Sequence, residues 1–489
     1  MNIVKLISMR KHSLCILFLA IFTFVLGAKL ITHPTPFFDW DESIYAQVGR
    51  EMVQQKSFVP LWQGQVWLDK PPLAPLTYGI VESIIPVSPE VSTRVFTLLL
   101  SVIALGLIYC FYYKITRNAV ISTFTIILTA FTTVFLQRSQ VLNVDVFLLL
   151  GWSGYVLFYE HFFLGLLFLG IGVLSKSLLG YYPPFMIVGV YTFLRMIGKV
   201  DNTKYHSILK KIILQMGIVT LWYVGMFAAY GKEFWKYHFV ESHLKRVTAS
   251  IESHFGKKTF YIDTLLDQFQ ILSVFIVTGT LYALWLFKHK FEKKYFLILL
   301  FVPWFIFLNL TKTKIAWYIY PVIPQFAFLI TFSLVIFRKN TFIYAGGILL
   351  LLICIYTQFI AKSNILTTYY SSLEPYHTAA IYAKNTCSGP LIVYVDDDTR
   401  KTHDVLAGMN LLISTSEWWG SHPSIVYYYG KKVDFIYSRD MFHTNLQHLQ
   451  ANQCVLVEKR NMNEIAKSLN LYKIKQFDPY YLYKTVSTL

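Results

Sequence analysis

The sequence predicts a polytopic α-helical membrane protein of about eleven spans, with a small extracytoplasmic α/β domain at its C-terminal end. Three observations predict it. Of 489 residues, 55% are hydrophobic and only 15% charged, against about a quarter charged in soluble domains, so most of the chain is composed to avoid water. Apolar runs near the roughly twenty residues needed to cross a bilayer recur from residue 13 to 360. The cation surplus, a net charge of +17, falls in short links between those runs, where Lys and Arg set orientation. Dispersed in this way it is no phosphate-backbone footprint, so nucleic acid is excluded as a partner. A soluble globular protein is excluded as well.

The elements follow in order. Lys5, Arg10 and Lys11 precede the run 13–31. A charged start and an apolar core also describe a signal peptide, but the run is long for one and no small-x-small cleavage site precedes Thr32. It reads as a retained first span with its N-terminus in the cytoplasm. Further runs cover 95–113, 119–136, 144–160, 162–176, 180–196, 212–230, 269–287, 295–310, 315–336 and 341–360. The inner links then hold Lys114 and Arg117; Arg195, Lys199, Lys204, Lys210 and Lys211; Lys288, Lys290, Lys293 and Lys294; Arg338 and Lys339. Acids there are chiefly Asp201 and Glu292. Every inner link is basic, as an odd number of spans requires.

Residues 1–360 are therefore expected to form the transmembrane domain, with outer loops 32–94 and 231–268, and 361–489 an extracytoplasmic domain. The tail alternates strand-like runs (390–395, 454–457) with helix-like stretches such as 463–469, enough chain for a small α/β unit. Cys15, Cys110 and Cys354 lie in apolar runs, whereas Cys387 and Cys454 lie in the tail and can form one disulfide in an oxidising compartment. No CxxC or Cys/His zinc spacing occurs.

Charged residues then mark the candidate chemistry. The first outer loop reads Asp39-Trp40-Asp41-Glu42-Ser43-Ile44-Tyr45; three acids in four residues beside a span either cap a helix or do chemistry. Lys70 precedes Pro71 and Pro72, whose stiff backbone aims its ammonium, suiting a phosphate contact as well as a headgroup anchor. Arg138 to Asp145 runs straight into an apolar helix, and an acid at that depth is costly unless it works. Lys176 ends the fifth run, Lys314 to Tyr318 joins the ninth and tenth, and the second outer loop supplies His243 and Arg246. By the derived topology all of these face one side.

These residues resemble the glycosyltransferase-C superfamily, in particular the bacterial lipid A aminoarabinose transferases and the protein O-mannosyltransferases. The likeness rests on Asp41-Glu42 with Tyr45-Ala46 and Arg50-Glu51-Met52, and on Lys70-Pro71-Pro72-Leu73. It continues through Arg138 to Asp145, Leu174-Ser175-Lys176, His243 to Arg246, and Lys314 to Tyr318 with Pro321. It spans about residues 13–330 in consistent order. Two departures stand out: those transferases have longer chains with more spans, and Ser-Lys-Ser replaces their Thr-Lys-Gly at Lys176.

The resemblance implies an inverting transferase in the inner (plasma) membrane that takes a sugar from a polyprenyl-phosphate carrier. The acceptor would be a glycolipid such as lipid A, another glycan or a protein, met on the outer face. Asp41 would be the general base, with Asp145 and Glu42 assisting. Lys70, Lys176, Arg246 and Arg138 would bind the donor phosphate, and Tyr45, Tyr318 and Lys314 would line the substrate pocket. Asp69 and His243 stand where relatives can place a divalent metal such as zinc, or else form a hydrogen-bonded contact between loops. Two other classes accommodate the same charges: a lipid or solute transporter, and a transferase using an oligosaccharide-diphosphate donor. Ionisable groups crowded at outer ends, with no internal repeat, argue against the transporter.

Overall fold

The structure is a computed structural model. It describes residues 3–290, 299–337, 341–360, 373–395, 397–409, 411–412, 420–449, 452–465 and 471–485. Glu292, Lys293, Lys294, Arg338 and Lys339, expected in inner links, lie outside the described residues. The chain divides into two compact units, each assembled from separate stretches. One comprises Met1–His33, Thr93–Lys232 and Phe255–Tyr369; the other comprises Pro34–Ser92, Glu233–His254 and Tyr370–Leu489. Most of the first outer loop and the part Glu233–His254 of the second thus group with the tail, while 255–268 group with the spans.

Among its described residues the first unit consists of helices and the links between them, with no strand. Six helical stretches are long and apolar enough to cross a membrane: His12–Thr32, Pro89–Thr116, Phe162–Met196, Asn202–Thr248, Phe260–His289 and Ala316–Ile336. Ala119–Ala130, Asp145–Phe158 and Ala345–Thr357 are apolar but shorter. Phe162–Met196 holds two expected runs, joined by the 3₁₀ turn Ser177–Tyr181. The run expected at 119–136 is broken, ending at Ala130 and resuming as Thr133–Arg138. Thr125, Thr129 and Thr132 each bond back to a carbonyl of the preceding turn, a habit that bends helices, and Thr132 is extended. Packing relies on small residues, as membrane helices do. A Cβ at Gly151 would collide with the Gly172 backbone, and one at Gly180 with the backbone of Gly172 and Val173.

The second unit starts from the helix Asp41–Gln54 and a hairpin of β1 (Leu61–Trp62) and β2 (Gln65–Val66). The turn residues Gln63 and Gly64 both have positive φ, as a type I′ turn requires. The buried Glu51 carboxylate accepts both of their amides, at 2.7 and 2.8 Å. The helix Leu73–Ile84 follows, and it packs on Asp41–Gln54 where Gly49 meets Gly79; a Cβ at either glycine would strike backbone. In the tail, β3 (Leu391–Tyr394), β4 (Val433–Ile436), β5 (Cys454–Glu458), β6 (Leu471–Phe477) and β7 (Tyr480–Thr485) form one sheet in the order β4-β3-β5-β7-β6. The first three are parallel and the last two antiparallel.

Strands β3 and β5 fall on the short apolar runs at 390–395 and 454–457, and their residues are buried along nearly their whole length. Ile392, Val455, Val457 and Tyr481 pack with Phe442 into the core of this domain. Of the expected helix at 463–469, Met462–Ile465 is present and 466–470 lies outside the described residues. Cys387, capping the helix Pro375–Thr386, is bonded to Cys454 on β5 with Cα atoms 5.7 Å apart. The Gln63 carboxamide hydrogen-bonds both backbone groups of Val433 on β4, donating to the carbonyl at 3.1 Å and accepting from the amide at 2.8 Å.

Candidate active site

In the second unit, Asp41 opens its helix half-buried, where the dipole favours a carboxylate. Its neighbour Glu42 is buried and turned back, accepting from the Phe38 amide at 2.7 Å, while the Ser43 hydroxyl donates to the Phe38 carbonyl at 2.8 Å. Of the two acids, Glu42 is therefore spent on the turn, while Asp41 stands half-buried at the first position of the helix. One turn on, Tyr45 is buried edge-on against Trp67, ring centres 6.1 Å apart, three residues before Lys70. Arg50 binds Glu82 at 2.9 Å and lies over the Tyr427 ring at 3.6 Å, fastening the same helix from its other side.

The Lys70 segment is held in turn. Pro71 and Pro72 are buried and Lys70 half-exposed, so the backbone is fixed while the ammonium is reachable. The His238 Nδ1–H donates to the Leu68 carbonyl at 2.9 Å, and the Ser242 hydroxyl to Asp69 Oδ1 at 3.5 Å. His243, on the same helical turn Trp235–Leu244, meets His238 edge-on at 5.6 Å. Within this unit Tyr45 thus packs against the segment that leads to Asp69 and Lys70, and that segment is bonded to the turn that carries His243. Arg246 pairs with Glu252 at 3.5 Å. Among the described residues no group of three His, Cys, Asp or Glu side chains is arranged to hold a metal ion. Asp69 and His243 supply two of the three or four protein ligands zinc takes, so they do not by themselves make a zinc site, and no step below passes through a metal.

In the first unit, three sequence-predicted residues converge. Asp145 is 2% exposed; one carboxylate oxygen is 2.9 Å from Arg138 Nη2 and the other is paired with the Lys176 ammonium. Asn143 builds the approach, donating to the Arg138 carbonyl at 2.7 Å and accepting from the Val146 amide at 2.9 Å, which caps the Asp145 helix. Aromatic faces cover both cations: Trp317 lies 4.7 Å from the Arg138 guanidinium and Tyr318 lies 5.3 Å from the Lys176 ammonium. Two cations and one carboxylate leave this buried trio net positive, a setting for an anionic or hydroxyl-rich group. Lys314 is engaged elsewhere. Its ammonium donates to the carbonyls of Leu308 and Asn309, at 3.1 and 2.9 Å, satisfying the end of the helix Val302–Leu310.

Sequence reasoning missed one feature of the second unit. Asp39 accepts from the Ser424 amide at 2.9 Å and from the His422 Nδ1–H at 2.6 Å. Asp39 stood in view beside Asp41, but its partner is 383 residues away, and nothing local announces it.

The fold is similar to those of solved structures of ArnT and of an archaeal oligosaccharyltransferase. The chain matches ArnT from Cupriavidus metallidurans bound to undecaprenyl phosphate with a TM-score of 0.72 and 13% identity, covering 98% of this chain and 99% of that one. The apo state of that protein matches at 0.70 with 14% identity, over 97% of this chain and 98% of the other. An oligosaccharyltransferase of Archaeoglobus fulgidus tethered to an acceptor peptide matches at 0.58 with 13% identity, over 98% of this chain and 75% of the other. In sequence, the chain is 26% identical over 302 residues to an uncharacterized protein of Aquifex aeolicus. That match takes in 59% of this chain and 57% of the relative, so the chain spans little more than half of that curated protein. No family profile matches the chain.

Proposed function

We propose that the chain is an inverting membrane glycosyltransferase that moves a sugar from a polyprenyl-phosphate carrier to an envelope acceptor. One observation carries this reading: the fold agrees over nearly the whole chain with a transferase bound to undecaprenyl phosphate. The acceptor would be a glycolipid, another glycan or a protein, reached on the extracytoplasmic side.

In this reading the acceptor hydroxyl attacks the anomeric carbon while Asp41 takes its proton, a contribution of about 10²–10⁴-fold for a well-placed base. The carrier phosphate leaves with the bonding electrons, and Lys70 meets its growing charge, with Arg246 in support. Glu42 holds the turn. Asp145 spends both oxygens on Arg138 and Lys176, so it orders those cations for donor or acceptor instead of taking a proton. Tyr45 supports the Asp41 helix from within, while Tyr318, half-buried over Lys176, is the better placed of the two to meet a substrate. The likeness to an oligosaccharyltransferase favours a second reading with an oligosaccharide-diphosphate donor. Competition between the two lipid donors separates them.

The test is transfer in reconstituted vesicles, with the natural product identified by mass spectrometry of envelope glycolipids and glycoproteins from cells lacking the gene. Asp41→Asn is expected to lose transfer by at least about 10²-fold while inserting normally; full activity would overturn the assignment. Lys70→Ala is expected to raise the KM for the lipid donor, and unchanged donor saturation would return Lys70 to a headgroup anchor.

A further inference from the structure

We infer that Asp39 and His422 are positioning residues that set the direction of Asp41, an inference that rests on the catalytic role proposed for Asp41. The residue between the two acids is the reason. Trp40 has φ 63° and ψ −116°, a region L-residues rarely enter, at a cost on the order of 1–3 kcal/mol. Such a conformation persists only when both flanks are pinned. On the far flank the helix start is pinned: the Ile44 amide donates to the Trp40 carbonyl at 2.8 Å, Ser43 to the Phe38 carbonyl, and Phe38 to Glu42.

On the near flank the pins come from the C-terminal domain. The Phe37 amide donates to the Tyr428 hydroxyl at 2.8 Å, and Tyr428 donates to Glu90 at 2.9 Å. Asp39 uses one oxygen on the Ser424 amide and the other on His422. An ionised carboxylate can only accept, which places the imidazole proton on Nδ1. His422 is itself held: its Nε2 lies 3.0 Å from the Tyr480 hydroxyl, and Tyr376 stacks on its ring at 4.0 Å. Tyr480 reaches on to Glu458 at the end of β5, at 3.5 Å. A rigid sheet thereby holds a strained turn, and the turn aims the acid that follows it. Without the His422 contact Trp40 is free to relax to an extended conformation, which rotates Asp41 away from its present direction.

The arrangement is tested with full-length protein in detergent, by amide hydrogen exchange of peptides covering residues 37–48 and 454–458. His422→Ala and Asp39→Ala are expected to speed exchange at Ser43 and Ile44 by about tenfold or more, with the β5 peptide unchanged. His422→Asn keeps a donor near the Nδ1 position and is expected to restore slow exchange to within about threefold of wild type. Unchanged exchange at Ser43 and Ile44 in His422→Ala overturns the inference, as does failure of His422→Asn to rescue. Equal acceleration in the β5 peptide also overturns it, since the effect is then general loosening of the domain. Binding of undecaprenyl phosphate, measured in the same samples, is expected to stay at its wild-type value in His422→Ala, because Asp41 is not a phosphate ligand. A wild-type protein that binds none of this lipid sinks the donor reading in the preceding section and leaves the exchange result to decide the positioning on its own.

Discussion

At the scale of single residues, two backbone and burial features yield measurable consequences. Ser177 is buried at φ 57° and ψ −135°, a conformation that suits only glycine comfortably. Substitution by Gly and by Ala both remove the hydroxyl, but only Gly relieves the backbone. Ser177→Gly is therefore expected to melt above Ser177→Ala by the equivalent of about 1 kcal/mol. Equal melting temperatures would remove the strain argument. His377 is fully buried, and burial pushes its imidazole below the usual range; His422 adds to this, while Asp39 and Glu374 oppose it. Its folded value lies below an unfolded value of about 6.5, so on acidification the unfolded chain takes up the proton first. The stability His377 contributes is complete above about pH 6.5 and is lost as pH falls below that value. Thermal melts between pH 7.5 and 5 should show this loss, and His377→Gln, which keeps the acceptor for the Glu374 amide, should flatten it. In the Arg138–Asp145–Lys176 trio, Asp145 was legible in the sequence as a costly acid at depth, and Arg138 and Lys176 as cations at the outer ends of apolar runs. Their pairing was not, because Lys176 lies 31 residues from Asp145 on another helix, and hydropathy carries no information on which turns face each other.

At the scale of elements, the glycine contacts decide how the helices that carry candidate site residues approach each other. The helices Asp145–Phe158 and Phe162–Lys176 approach through Gly151 and Gly172, which is how the Asp145 and Lys176 ends come into register. Gly49 and Gly79 do the same for the Asp41 helix and the helix after Lys70. Gly49→Ala must push the Pro75 carbonyl aside, an overpacking that costs about 1–3 kcal/mol, and transfer should fall with it. Gly225→Ala, on a helix with open space at that position, is the control and should be tolerated in both melting and activity. Helix existence was legible here because the apolar runs are long. The break at Thr132 was not, since it depends on hydroxyls bonding to their own backbone, and composition reads threonine in an apolar run as tolerable.

At the scale of the whole molecule, the Cys387–Cys454 bond closes 67 residues of the tail. Chain-entropy arguments give such a loop about 4 kcal/mol of stabilisation, so Cys454→Ser should render the sheet domain markedly more sensitive to limited proteolysis. Alkylation of unfolded cell extracts is the complementary measurement. Two cysteines protected until reduction are expected if the tail lies in an oxidising compartment. The sequence made the two tail cysteines candidates for pairing, but only the placement of Cys387 at a helix end beside the first residue of β5 shows them joined. Gln63 has a consequence of a different kind. Strand β4 lies at the edge of the sheet, and the backbone groups along such rims recruit strands from neighbouring molecules. By bonding both groups of Val433, one carboxamide from a distant loop acts as a surrogate strand a single residue long. A chain carrying Gln63→Ala should fold and yet self-associate as its concentration rises.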